Sequence, residues 1–274
     1  MRLFIFSLVV AASFAAKWDG LRVTFGVFQS LPRTVEEAIG AGFTLKDNFC
    51  ENPLQKFRGY RYWLPGDAGA MVLFDVNGFI AGIQTSPDAL KYSPTQTNAN
   101  RSMMSDSGHW TLTAYFVDPG TICSTGRSQE QFALEGTGNG LWIQNGSVPE
   151  KNSIHIPNDE RKIQGTEWGS GKCFRGMGQH YWYNVRKDMD CDDFFPYCVL
   201  YAHGQLTGFC YAVDGDVRAS SKYYEYAMTS GANMCCINAP DCFWTHPRHA
   251  NDAPQTTLHV LFTDKPMTTN TCPK

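Results

Sequence analysis

The sequence predicts an all-β or β-dominated fold made of two diverged copies of one disulfide-closed β unit, related by a pseudo-twofold duplication. Three observations predict this fold. Short landmarks of aromatic residues and glycines recur in the same order along the chain. Several segments alternate apolar and polar side chains between turn-forming residues, as half-buried strands do. The ten cysteines are an even number, as expected for thiols that pair in an oxidising compartment.

The first segment, residues 1–15, is typical of a signal peptide. Arg2 supplies a positive start, residues 3–12 supply an apolar run of suitable length, and small residues precede a cleavage position after Ala15. A membrane anchor would need roughly 20 apolar residues, and this run ends before Lys17. We therefore expect a secreted, extracellular protein without a membrane span.

Two strand landmarks occur once in each half of the chain. Residues 59–64 (GYRYWL) match residues 178–183 (GQHYWY), and residues 73–82 match residues 199–208 with two glycines kept in place. The second match predicts a β-hairpin in each half, because apolar and β-branched residues flank a pair of tight-turn residues. Each unit should therefore contain an aromatic strand followed by a hairpin.

A third landmark closes each unit. Residues 112–118 match residues 258–264, and both segments alternate as strands do before a cysteine. Upstream in the first unit, Thr34 and Glu37 form a capping-box pattern, which predicts a short helix that ends near Gly40.

These landmarks divide the chain into a first β repeat at 16–123, a Gly-rich junction at 124–139 and a second, Cys- and His-rich β repeat at 140–274. The junction glycines do not form a dinucleotide-binding fingerprint, because the required helix and distant acidic partner do not follow them. The second repeat is longer than the first and includes an inserted segment at 186–193. We expect added function on the second repeat.

Equivalent positions in the two repeats predict two disulfides, Cys50–Cys123 and Cys173–Cys272. Each would join the start of a unit to the end of its last strand. The other six cysteines all lie in the second repeat, and their pairing is open: Cys191, Cys198, Cys210, Cys235, Cys236 and Cys242. Among them, the pair Cys198–Cys210 is favoured because these residues lie on opposite arms of the predicted hairpin.

Charge and glycosylation patterns restrict the partners. The formal net charge of −3 and the pI of about 6.1 offer no basic surface for a nucleic acid. Asn100 and Asn145 each begin an N-x-S sequon, as in secreted glycoproteins. We expect the partner to be an extracellular small molecule, a glycan or a protein.

Histidines are concentrated in the second repeat and indicate its candidate site. Imidazoles on neighbouring strands can bind a metal ion or transfer protons near neutral pH. The alternative is that each histidine only makes local hydrogen bonds. The candidate ligand-binding residues are His180, Trp182, His259 and His246, and the candidate metal ligands are His180, His259 and His249.

An acidic run in the inserted segment offers a second place for an ion. Asp188, Asp190, Asp192 and Asp193 alternate as in some calcium loops, but the glycine and distal glutamate of an EF-hand loop are missing. The run fits either a looser calcium site or a solvated loop held by Cys191.

The sequence contains none of the familiar motifs of nucleophilic enzymes, zinc proteases or P-loop proteins. Dense tyrosine and tryptophan runs suit binding, since such rings tolerate half-exposed sites. We therefore expect an extracellular binding or interaction protein with its ligand on the second repeat. The alternatives are a secreted enzyme or metal-binding protein with a histidine-centred site there, and a structural matrix component. The cofactor stays open, with a metal ion as the candidate.

Overall fold

A computed structural model describes residues 18–87, 94–227, 240–241 and 255–273. The protein is β-dominated, as predicted, and its strands form two eight-stranded sheets. The predicted signal peptide lies outside the described residues. No helix in the described part of the chain is long and apolar enough to cross a membrane.

The strands in the described ranges are β1 (Arg22–Val23), β2 (Gln29–Ser30), β3 (Thr44–Asn48), β4 (Tyr60–Leu64), β5 (Asp67–Phe74), β6 (Ile80–Thr85), β7 (Met104–Asp106), β8 (His109–Tyr115), β9 (Leu141–Gln144), β10 (Ser153–Ile156), β11 (Trp168–Phe174), β12 (Gly178–Tyr183), β13 (Tyr197–Ala202), β14 (Gln205–Asp214), β15 (Glu225–Ala227) and β16 (Gln255–Leu261). The short α-helices among the same residues are α1 (Val35–Gly40), α2 (Pro119–Ile122), α3 (Gln129–Glu135) and α4 (Pro266–Thr269), and the 3-10 helices are Glu160–Lys162, Cys191–Asp193 and Arg218–Ser220.

Both sheets are antiparallel and follow the same plan. The first sheet has the order β10-β9-β8-β6-β5-β4-β3, with β7 paired to β8. The second has the order β11-β12-β13-β14-β16-β1-β2, with β15 paired to β16. The first hairpin of the chain, β1–β2, thus completes the sheet that contains the last strand, because Arg22 lies opposite Leu261.

The main core lies between the two sheets, where their inner faces contribute buried side chains such as Val72, Ile83, Val199 and Phe209. Tyrosine hydroxyls cross this core. The Tyr211 hydroxyl donates to the carbonyl oxygen of Ile83 at 3.0 Å. Burying a tyrosine is favourable only when its hydroxyl finds such a partner. These hydrogen bonds fix the two sheets face to face.

The outer face of each sheet carries a smaller apolar cluster. On the first sheet it includes Leu73 and Tyr115. On the second sheet Trp182, Leu200 and Cys210 are covered by side chains from the inserted segment and its flank, including Met189 and Phe194. Residues 186–194 therefore help to bury the outer face of the second sheet.

Three disulfides join described residues: Cys50–Cys123, Cys173–Cys272 and Cys198–Cys210. These are the three pairs that the sequence predicts or favours. Cys191 is also disulfide-bonded. Cys235, Cys236 and Cys242 lie outside the described residues.

The helices are short and capped. Helix α1 is confirmed, with the Thr34 side chain accepting a hydrogen bond from the Glu37 backbone N–H at 3.2 Å. Helix α3 occupies part of the junction, for which the sequence predicted only a glycine-rich loop. It begins with a capping box in which Ser128 and Gln131 bond each other's backbone. These two residues are the sequence signal by which the helix could have been predicted.

Candidate functional site

One row of directly paired residues crosses the second sheet, in the order Trp182, Cys198, Cys210 and His259. His180 lies two residues before Trp182 on β12, so its side chain points to the same face. As a result, the rings of His180 and His259 meet edge to face with their centroids 5.7 Å apart. The structure therefore brings together two of the histidines that the sequence singles out.

Glu225 on β15 holds the His259 ring. Its Oε2 lies 2.5 Å from Nδ1 of His259, and its Oε1 accepts hydrogen bonds from the backbone N–H groups of His259 and Phe25. Burial acts to raise the pKa of Glu225, but the charge on His259 and these hydrogen bonds outweigh it and hold the pKa below its ordinary value. Glu225 is thus an ionised, buried carboxylate that orients the imidazole.

The backbone orients the second ring, that of His180. Nδ1 of His180 lies 3.0 Å from the carbonyl oxygen of Lys172 and 3.2 Å from that of Gly178. A carbonyl oxygen only accepts, so Nδ1 carries the proton and Nε2 carries the lone pair. Burial, together with the nearby charge on His259, lowers the pKa of His180 to about 3. The ring is therefore neutral at physiological pH.

The arrangement has the features of a metal site. Ligand atoms of His180, Cys198 and His259 all lie within 4.8 Å of one another. Because Nδ1 of each ring is engaged by an oxygen, Nε2 is the nitrogen that each offers to an ion. A carboxylate or carbonyl behind each imidazole is the usual support of histidine ligands. The Cys198 sulfur is bonded to Cys210 and would need reduction to serve as a thiolate ligand.

Aromatic side chains surround the pair of histidines. Phe174 meets His180 edge on at 5.4 Å, and Phe25 lies 6.4 Å from His259 between ring centroids. Trp182 stacks parallel to His180 and contacts Phe194. His180 and His259 are only 2% and 6% exposed. Their surroundings are therefore apolar, which strengthens electrostatic interactions within the site.

Of the other candidate residues, Trp182 lies beside His180, and the rest lie away from the histidine pair or outside the described residues. Trp182 belongs to the buried cluster, so its ring faces protein rather than solvent. His246 and His249 lie outside the described residues. Asn100 is exposed, whereas Asn145 is half-buried.

The acidic run forms a turn around Cys191. Asp190 accepts a hydrogen bond from the backbone N–H of Asp192 at 2.9 Å, and Asp193 accepts one from the Thr97 hydroxyl at 2.9 Å. Two of the four carboxylates in the acidic run thus accept hydrogen bonds that stabilise the segment covering the outer face of the second sheet.

Sequence reasoning missed Glu225, the residue that orients the His259 ring. Its signal was an acidic residue inside an aromatic run, residues 223–226 (YYEY). A charge at a strand position is rarely buried without a partner. That rule would have directed attention to a nearby histidine or arginine.

No protein-family model, curated protein or solved structure matches this chain.

Proposed function

We propose that this chain is a secreted binding protein whose ligand site lies on the second sheet, and that the ligand is a transition-metal ion held by His180 and His259. The observation that carries the proposal is the pair of adjacent buried imidazoles, each anchored through Nδ1 by an oxygen. Such anchoring fixes the tautomer and direction of a ligand before the ion arrives.

The donor set favours a borderline-soft ion such as Zn²⁺ or Cu²⁺. Neutral imidazole suits both, and hard ions such as Ca²⁺ or Mg²⁺ prefer oxygen ligands. With the disulfide intact, the site offers two nitrogens. Reduction of Cys198–Cys210 would add the Cys198 thiolate as a third ligand, the number of protein ligands in zinc sites whose fourth position holds water.

We infer that the two sheets are diverged copies of one unit. In support, each sheet runs from an edge strand through the aromatic strand, two hairpin strands and a closing strand to a final hairpin. That final hairpin comes from the other repeat in each case: β9–β10 (residues 141–156) lie in the first sheet and β1–β2 (residues 22–30) in the second. The repeats at 16–123 and 140–274 would thus exchange their first hairpins.

The strand register refines the match between repeats. Leu73 lies opposite Gly82, and Leu200 lies opposite Gly208. The first turn is therefore one residue longer than the second. Under duplication, Leu73 corresponds to Leu200 rather than to Val199.

Secretion into the extracellular space is part of the same proposal. Three disulfides join described residues, as is common in oxidising compartments. We propose that residues 1–15 are removed as a signal peptide and that Asn100, which is exposed, carries a glycan. Mass spectrometry of the secreted protein before and after glycosidase treatment would test both points.

Metal content tests the binding proposal. The mature protein would be purified without chelating columns, loaded with Zn²⁺ or Cu²⁺, desalted and analysed by elemental mass spectrometry. We expect one bound ion per chain in the wild type and loss of that ion in the His180→Ala/His259→Ala variant. His155→Ala is the matched control, since His155 stacks on Trp142 on the other sheet.

Equal metal content in the wild type and the double variant would contradict the site. So would a wild-type protein that retains neither ion. Repeating the measurement with a mild reductant reports the part played by Cys198.

A further inference from the structure

The outer face of the first sheet contains a cavity of about 520 Å³, within the usual range for small-ligand sites. It is separate from the histidine pair on the second sheet. Its lining includes Lys46, Asp47, Arg61, Trp63, Asp106 and Thr111.

Arg61 forms the floor of this cavity and is 2% exposed. Its Nε donates to Asp47 at 2.7 Å, and its Nη1 donates to Asp106 at 2.6 Å and to Gln84 at 3.1 Å. The guanidinium also stacks on Phe49. A single rigid cation thus holds two carboxylates in fixed positions at the cavity, while both of them remain partly exposed.

A β-bulge shapes one wall. The pairing of β3 with β4 shifts register between Leu45 and Asp47, which leaves Lys46 as the extra residue. Lys46 and Asp47 consequently both line the cavity, although successive residues of a regular strand point to opposite faces. The Lys46 ammonium lies 4.2 Å from the centre of the Trp63 ring. Bulges commonly redirect side chains in this way next to binding sites.

Thr111 provides a second, independent indication of a ligand. It lines the cavity and is 1% exposed, and its hydroxyl has no hydrogen-bond partner within the described structure. A buried hydroxyl without a partner is costly, typically about 1–3 kcal/mol. Its oxygen is closed to solvent, so a ligand hydroxyl would satisfy it once the neighbouring side chains at the cavity shift on binding.

We propose that this cavity binds a neutral, hydroxyl-rich ligand, namely a monosaccharide unit. Fixed carboxylates accept hydrogen bonds from sugar hydroxyls, and a half-buried tryptophan packs against the apolar face of a sugar ring. The charged side chains at the site balance, since Lys46 and Arg61 offset Asp47 and Asp106. Lys46 and Arg61 would repel a cationic ligand, and Asp47 and Asp106 would repel an anionic one, so neither kind of ligand is favoured.

The proposal is tested by titrating the intact protein with neutral monosaccharides: glucose, galactose, mannose and N-acetylglucosamine. Binding would be followed by calorimetry and by saturation-transfer NMR. We expect at least one of these sugars to bind the wild type and to bind the His180→Ala/His259→Ala variant equally well. Equal sugar binding by the wild type and this variant would show that the sugar site does not depend on the histidine pair. Either proposal can therefore fail without the other.

Two variants locate the sugar. Trp63→Ala should weaken binding by roughly fivefold or more, as expected for a contact at the centre of a binding site. Thr111→Val keeps the shape of the side chain and removes the hydroxyl, so it should also weaken binding. Trp142→Ala is the matched control, because Trp142 is likewise a half-buried tryptophan of the first sheet, stacked on His155 outside the cavity.

The proposal is overturned if none of these sugars binds, or if binding is unchanged in Thr111→Val. It is also overturned if inorganic phosphate or Ca²⁺ binds in a manner abolished by Trp63→Ala while the sugars do not bind. Should Trp63→Ala fail to fold by circular dichroism, Thr111→Val alone decides the question.

Discussion

Arg61 and His180 occupy corresponding positions in the two sheets. Each pairs with a leucine that lies opposite a glycine on the next strand: Arg61–Leu73–Gly82 and His180–Leu200–Gly208. At the first position an arginine bridges two carboxylates beside an open cavity. At the second, a neutral histidine faces His259. The same place in the fold thus carries two different polar groups.

The buried Arg61 network should be important for stability. Arg61→Leu leaves the carboxylates of Asp47 and Asp106 without their cation. Because both carboxylates are partly exposed, we expect a loss of about 2 kcal/mol in the free energy of unfolding, less than for fully buried partners. Arg61→Lys should recover only part of it, because an ammonium cannot reproduce the planar fork that bonds both carboxylates. Denaturant unfolding monitored by circular dichroism measures both variants.

Arg22→Leu is the control for this prediction. Arg22 pairs with Asp264 on the surface, with side chains 29% and 45% exposed, so its removal should cost less than about 1 kcal/mol. Equal effects at Arg22 and Arg61 would show that burial of the network adds nothing.

Stability should decrease on acidification because of His180. Its pKa is lowered from 6.5 to about 3 in the folded protein, so between these values the unfolded chain binds a proton that the folded chain does not. The contribution of His180 to the free energy of unfolding is then constant above about pH 6.5 and decreases as the pH falls towards 3, by on the order of 5 kcal/mol in total. The measurement is denaturant unfolding in EDTA across this range.

His180→Gln should flatten that pH dependence. The neighbouring groups that titrate or carry charge, His259 and Glu225, remain in this variant, so any residual slope reports on them. An unchanged slope in His180→Gln would refute the assignment to His180.

The number of residues between two bonded cysteines should determine how much the disulfide contributes to the free energy of unfolding. Cys50–Cys123 spans 73 residues and Cys173–Cys272 spans 99, so loss of either should cost about 4 kcal/mol in the chain-entropy model. Cys198–Cys210 spans 12 and should contribute less, roughly 3 kcal/mol. Paired Cys→Ser variants, compared by denaturant unfolding without metal, give the order. A larger loss for Cys198–Cys210 than for the other two would contradict it.

Two glycines should tolerate no side chain. Gly59 and Gly178 have φ of 98° and 104°, and a Cβ would lie 2.7 Å from the Phe74 carbonyl oxygen and 2.5 Å from that of Tyr201. Alanine at either position combines an unfavourable φ with a backbone clash, so we expect losses of roughly 2–5 kcal/mol. Thermal or denaturant unfolding of each variant measures the loss.

Gly204→Ala is the matched variant for these glycines, since its φ is 78° but a Cβ at this position would have no neighbouring atom within 4 Å. It should cost only about 1 kcal/mol. If all three alanine variants lose the same free energy, the close approach to the carbonyl oxygens contributes nothing.

The parts of the fold that the sequence predicts are those that depend on local sequence patterns. The alternating segments and the capping box at Thr34 identify strands and a helix, and the recurring landmarks predict the Cys50–Cys123 pair. The pairing of Arg22 with Leu261 could not be predicted, because periodicity shows that a segment is a strand but not which remote strand it joins. The acidic residue in the run 223–226 indicates a buried charge that needs a partner, but its pairing with His259 depends on the same unpredicted contact between remote strands.

Glu225 should control metal affinity without binding the ion itself. Glu225→Gln keeps the size of the side chain and can still accept a hydrogen bond from His259 Nδ1. The variant removes the negative charge that makes the imidazole a more basic metal ligand. We expect Zn²⁺ affinity to decrease by roughly 10–100-fold, as for other partners of histidine ligands. Competition with a chromogenic chelator measures the change.

Glu160→Gln is the control, because Glu160 accepts a hydrogen bond from the Tyr181 hydroxyl at 2.9 Å on the opposite face of the sheet. An affinity that is unchanged in Glu225→Gln, or reduced equally in Glu160→Gln, would mean that the carboxylate behind His259 has only a structural role.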